Sequence, residues 1–299
     1  MQVRTGALCE MLGGAMNCLP PSSIGEATVT SGERKSRLEG FRLATLGVLG
    51  GVYIAFGAQL FTLVTSDLSK VAGYGLSRLL GGVAFSVGLV LVVLCGAELF
   101  TGNSLVAMAA FSHRIPWRGV LRNWGYVYLA NLAGSLIFAL MLFGTRQYMF
   151  SDNTVGANAL KIAVAKVNMP FGTAFLRGIL CNWLVCLAVW MATAADDVTG
   201  KILGAMIPVT VFVASGFEHS VANMFFIPMG LLLRRVPAVV QAAGPVAGLD
   251  KLTWWSGLWV RNLLPVTLGN LTGGVFFVAF LYWVSYLRLR EQSASGGPR

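Results

Sequence analysis

Charge is scarce in this chain of 299 residues: Asp, Glu, Lys and Arg together make up 11%, about half the share usual in a soluble domain. With 56% hydrophobic residues and a mean hydropathy of +0.71, that scarcity excludes an ordinary soluble domain and leaves a membrane protein. Histidine is rarer still. His113 and His219 are the only two, which makes a histidine-based metal cluster improbable. The five cysteines, Cys9, Cys18, Cys95, Cys181 and Cys186, show no CxxC spacing, and three lie inside apolar segments. They read as small core residues rather than disulfides or metal ligands. No nucleophile–base pair or metal set can be assembled, so neither an enzyme nor a cofactor is expected. The first residues lack the basic-then-apolar pattern of a cleavable signal peptide. The formal net charge of +10 would suit nucleic acid, but the basic residues flank apolar runs, as membrane loops require. No nucleic-acid partner is expected; the positive potential would instead draw anions toward pore mouths.

What the chain has in abundance is long apolar runs. The spans are Leu43–Val64, a second run from Leu79 to Phe111, Trp124–Gly144, Phe171 to Ala195, a fifth run from Ile202 to Leu233, and Leu263–Leu287. Ser66 to Arg78, Arg146 to Pro170 and Arg234 to Asn262 read as polar connections, and Ser22 to Arg37 as a short interfacial helix. The second and fifth runs would reach roughly 50 Å as straight helices, against a hydrocarbon core of about 30 Å. Both should therefore be interrupted, the second within Cys95-Gly-Ala-Glu-Leu-Phe-Thr-Gly-Asn103 and the fifth at Ala214-Ser215-Gly216.

The two halves echo each other. Asn131-Leu-Ala-Gly134 and Asn270-Leu-Thr-Gly273 lie in the third and sixth spans, and each interrupted run carries an acid followed by an asparagine, Glu98…Asn103 and Glu218…Asn223. A repeat of three spans re-enters the membrane from the opposite side, so the pattern predicts an inverted repeat with its site at the paired interruptions. The expected organisation is an N-terminal cytoplasmic segment 1–40, a transmembrane domain 41–287 with repeats about 41–145 and 171–287, and a basic tail 288–299. The loop charges only slightly favour cytoplasmic termini.

Glu218 and His219 are the only ionisable groups between Lys201 and Arg234, and ionisable groups at the membrane midplane usually mark a pathway. Half-helices meeting at an interruption aim positive dipole ends and free N–H groups inward, which favours an anion. His219 supplies a hydrogen bond or a proton, Thr101 a hydroxyl, and Asn182 a further buried donor. Glu98 and Glu218 would repel an anion, so they are expected to accept from loop N–H groups. Phe85, Leu89, Leu99, Phe100, Val185 and Phe212 flank these donors, and apolar constrictions of this kind favour a small or transiently neutral solute.

Gly216-Phe-Glu-His-Ser-Val-Ala-Asn-Met-Phe225, Cys95-Gly-Ala-Glu-Leu-Phe-Thr101 and Asn262-Leu-Leu-Pro-Val-Thr-Leu-Gly-Asn270 together resemble the formate/nitrite transporter family, over roughly Pro21 to Leu287. Cys181-Asn-Trp-Leu-Val-Cys-Leu-Ala-Val-Trp-Met191 and Ile227-Pro-Met-Gly230 make the chain most similar to its formate-channel branch. The resemblance implies an all-α, aquaporin-like protomer of six transmembrane helices in two inverted three-helix repeats, helices 2 and 5 interrupted. It implies a homopentamer in the bacterial cytoplasmic (inner) membrane, with one pore per protomer. It further implies a central Thr101–His219 pair between a cytoplasmic constriction of Leu89, Leu99 and Phe100 and a periplasmic one of Phe85, Val185 and Phe212. Lys166 and Lys35 would attract the anion, and Asn182, Glu218 and Asn223 would belong to the substrate pathway. The implied solutes are formate and other small monocarboxylates or nitrite, moved by a channel or a proton-coupled carrier. A hydrosulfide transporter is a neighbouring alternative. A neutral-solute pore of aquaporin type is a more distant one, because the chain has no Asn-Pro-Ala pair.

Overall fold

The computed structural model describes residues 18–288, and these are helical apart from loops and one isolated bridge, Cys18 to Ala195. Cys9 and the tail beyond residue 288 lie outside the described residues. Helix α1 is Pro21–Ser36, α2 Gly40–Val64, α3 Leu68–Leu94 and α4 Gly102–Phe111. They are followed by α5, Trp117–Gly144, α6, Thr154–Val167, and α7, Phe171–Ala194. Helices α8, Val198–Ala214, and α9, Ser220–Leu233, precede α10, Pro237–Ala243, and α11, Ser256–Tyr286. Prolines set several of the starts. Pro21 and Pro237 occupy first-turn positions and Pro116 and Pro170 the caps, where a missing N–H costs nothing.

This is an all-helical membrane protein. Among the described residues α2, α3, α5, α7 and α11 are each long and apolar enough to cross a bilayer, and α9 with α10, bent by 108° between them, makes a sixth candidate. Helix α8, of 17 residues, and α9, of 14, follow one another across Ser215–His219. At 1.5 Å per residue each alone reaches at most about 26 Å.

Three expected connections are more helical than their polarity suggests. The segment Ser66 to Arg78 already holds the first turns of α3, kinked at Gly73, whose φ is +76°. Long cationic side chains near a helix end reach water without opposing the helix. Arg146 to Pro170 contains α6, whose Val155, Leu160, Ala163, Val164 and Val167 are buried and which packs on α9. That face recurs every three to four residues, the helical period. Arg234 to Asn262 contains α10 and the first turn of α11, which begins at Ser256 rather than Leu263. Helix α1 forms over the stretch expected to be an interfacial helix, and its Ile24, Thr28 and Val29 are buried where it packs on α4, α5 and α7.

Helix α2 packs on α5 and α7 on α11, while α3 against α8 joins the halves. The Asn-x-x-Gly motifs account for both equivalent crossings. A side chain on Gly134 would collide with the Val48 carbonyl, and one on Gly273 with the Ile179 carbonyl. Small residues let membrane helices approach to backbone contact. Gly273→Ala is therefore expected to cost about 1–3 kcal/mol, because neither backbone can yield. Unfolding in mild detergent checks this against Gly125→Ala, where a new Cβ meets nothing within 4 Å.

Candidate functional site

Each interruption begins with a glycine in the left-handed region, Gly96 at φ +73° and Gly216 at φ +74°. Only glycine takes that conformation without steric cost. The released backbone groups must find partners away from water, and one asparagine per half provides them. Asn131 Nδ2 donates to the Glu98 carbonyl at 2.9 Å while its Oδ1 accepts from Phe100 N–H at 2.9 Å. Asn270 does the same for the Glu218 carbonyl and Ser220 N–H, both at 2.9 Å. The Glu98 N–H donates to the Leu46 carbonyl at 3.1 Å and the Glu218 N–H to the Arg177 carbonyl at 3.2 Å.

The two carboxylates accept from side chains, where loop N–H groups were expected. Glu98 pairs with Lys35 at 3.1 Å and accepts from Asn103 Nδ2 at 2.6 Å. Glu218 pairs with Lys166 at 3.0 Å and accepts from Asn223 Nδ2 at 2.7 Å. Asn103 and Asn223 also donate to Asn123 and Asn262, whose own amides bond the carbonyls of Lys35 and Lys166. Each negative charge is thereby neutralised in place, so neither need repel an anion. Asn123 and Asn262 were not singled out as site residues in the sequence, although Asn262 opens one of the motifs that carry the family resemblance; both are fully buried asparagines in apolar helices.

The N-termini of α4 and α9 begin at these interruptions, and their flanking residues meet. Thr101 Oγ1 lies 3.0 Å from His219 Nε2, with Thr101 at 0% exposure and His219 at 3%. His219 caps α9, because its Nδ1 accepts the Ala222 N–H at 3.0 Å. A nitrogen that accepts cannot carry a proton, so the network assigns a neutral ring protonated at Nε2, which donates to Thr101. The Thr101 hydroxyl hydrogen is left for another acceptor. Asn182 Nδ2 donates to the Thr101 carbonyl at 3.2 Å, to Ser104 Oγ at 3.0 Å and to the Asn270 carbonyl at 2.7 Å, tying both halves to the pair. Its buried Oδ1 has no hydrogen-bond partner among the described residues.

Cavities approach the pair from both sides. On the side away from α1, about 280 Å³ is lined by Phe85, Phe212, Lys166, Arg78 and Arg177 and reaches His219. Phe212 stacks on the imidazole at 5.9 Å and Phe85 meets it edge-on at 6.5 Å. On the α1 side, about 220 Å³ is lined by Leu89, Leu99 and Lys35, beside about 440 Å³ lined by Arg34, Lys35 and Lys201. Phe100, edge-on to Tyr128 at 4.8 Å, and Val185, 1% exposed, line none of these spaces.

The family described as formate/nitrite transporter matches residues 22–284. The chain is similar to the formate channel FocA of Escherichia coli K12, with 38% identity over 90% of this chain and 95% of that one. It is also similar to a probable formate transporter of Methanothermobacter thermautotrophicus, with 40% identity over 90% and 97%. Among solved structures, a pentameric formate channel with formate bound superposes at TM-score 0.75 with 38% identity, covering 83% of this chain and 98% of the other. An ion channel of the same family, 29% identical, superposes at 0.73 over 88% and 98%. Interrupted helices of this geometry, matched in sequence and in backbone along nearly their whole length, leave one assignment: the chain belongs to the formate/nitrite transporter family.

Proposed function

We propose that this chain conducts formate and related small monovalent anions through each protomer of a homopentamer in a bacterial cytoplasmic membrane. The observation that carries this reading is the buried Thr101–His219 hydrogen bond, which lies at the N-termini of two half-helices with cavities approaching it from either side. Those termini offer positive dipole ends to an anion, and the Thr101 hydroxyl offers it a hydrogen bond. The resemblance to formate channels supports the choice of solute, and the pentameric relative supports the assembly.

The pair also suggests how a proton joins the anion. A second proton reaches His219 at Nδ1 only as the Ala222 N–H bond opens. The doubly protonated ring then releases its Nε2 proton to formate, which leaves as neutral formic acid past Phe85 and Phe212 or past Leu89 and Leu99. Neutrality matters there, since an unpaired ion in a dry constriction costs several kcal/mol.

Liposomes holding the full chain test this reading with labelled formate and nitrite, with and without an imposed pH gradient. Formate entry stimulated by outside acid is expected. Nitrite flux without formate flux would move the chain to another branch of the family. Native mass spectrometry in mild detergent should show five chains; a clean monomer or tetramer would contradict the assembly.

A further inference from the structure

The cavity on the side away from α1 is lined by three cationic residues, Lys166, Arg78 and Arg177, and by one acid, Glu218. Their charges are not equally available to a solute. The Lys166 ammonium contacts both oxygens of Glu218, at 3.0 and 3.2 Å, so that pair is close to neutral. Arg78 is occupied at the C-terminal end of α8, where Nε donates to the Ala214 carbonyl at 3.2 Å and Nη2 to the Val213 carbonyl. The negative end of that helix dipole offsets part of its charge. Arg177 is exposed, and among the described residues its guanidinium makes one long hydrogen bond, Nη1 to the Gly216 carbonyl at 3.4 Å. Its guanidinium carries five donors in a fixed fork suited to a carboxylate.

We propose that Arg177, rather than the paired Lys166, concentrates and orients small carboxylates at this mouth of the pore. The inference rests on the anion-transport reading above and names the group that recruits the anion. A mouth lined by unopposed positive charge raises the local anion concentration and the rate of entry, and added salt weakens it. The residue acts before the solute reaches His219, so it should set KM and leave the maximal rate alone.

The test uses the full chain in right-side-out and inside-out bacterial membrane vesicles, reading initial formate uptake against formate concentration. Arg177→Gln is expected to raise KM about three- to tenfold for entry from this side at low ionic strength, with the maximal rate within twofold. Entry from the α1 side should keep its KM. Arg177→Lys should restore most of the loss, and 0.5 M salt should shrink the difference between variant and wild type. A merely structural prop on Gly216 would lower the maximal rate from both sides and leave KM and salt dependence alone, which overturns the proposal. Arg177→Leu removes the same charge should the glutamine variant fail to accumulate. If both fail, a wild-type KM from this side that is flat against ionic strength overturns it. Wild-type vesicles that carry no formate from either side would overturn the anion-transport reading itself, whereas formate-carrying wild type with an unshifted Arg177→Gln overturns this inference alone.

Discussion

Asparagine in place of His219 is expected to abolish acid-driven formate uptake, by on the order of 100-fold, while leaving the protein folded. The substitution separates two roles that the structure gives one ring. His219 Nδ1 caps α9 by accepting the Ala222 N–H at 3.0 Å, and the asparagine Oδ1 is among the best acceptors for an N-cap. The cap survives, but asparagine has no proton to lend. Phenylalanine would fill similar volume yet lose the cap as well, at about 1 kcal/mol, so its unfolding midpoint should fall below that of the asparagine variant. Uptake measured with and without an inward proton gradient decides the matter. If the asparagine variant retains wild-type acid stimulation, His219 is a cap and nothing more, and proton coupling must be sought elsewhere.

Part of this was legible from residues alone. An apolar run too long for one span, holding Gly216, Glu218 and His219, predicts an interruption with a histidine in it, and Ser215–His219 is where α8 gives way to α9. The likeness of Asn131-Leu-Ala-Gly134 to Asn270-Leu-Thr-Gly273 was visible as a repeat, but not what it does. One residue of the motif clamps an unwound backbone and the other admits a neighbouring carbonyl, and both are long-range facts that a local pattern does not encode. Helix α6 was hidden because Asn158, Lys161 and Lys166 interrupt its apolar residues, so no unbroken apolar run marks the stretch although one helical face stays apolar. The ion pairs were hidden for a similar reason. Lys35 and Glu98 are 63 positions apart and Lys166 and Glu218 are 52, so no spacing rule links them.

That pairing carries the other large expectation. Removing Lys166 should damage the fold more than a mere attractor of anions would. Lys166→Met leaves the Glu218 carboxylate, 5% exposed in its side chain, with Asn223 as its remaining side-chain donor. Breaking a buried pair by deleting one partner costs about 3–5 kcal/mol, because the surviving charge is uncompensated. Methionine keeps much of the lysine stem, and the ring of Phe226, 5.1 Å from the ammonium, accepts a thioether well. Lost packing therefore contributes little. Adding Glu218→Gln removes the stranded charge while its Oε1 can still accept from Asn223 Nδ2. The double variant should recover most of the lost stability, giving a large coupling energy in a double-mutant cycle read by unfolding in detergent. The Lys35–Glu98 pair should show the same pattern with a smaller amplitude, since Lys35 is 24% exposed in its side chain against 14% for Lys166. If Lys166→Met unfolds like wild type and only its formate flux falls, the ammonium is not committed to Glu218 and serves the solute directly.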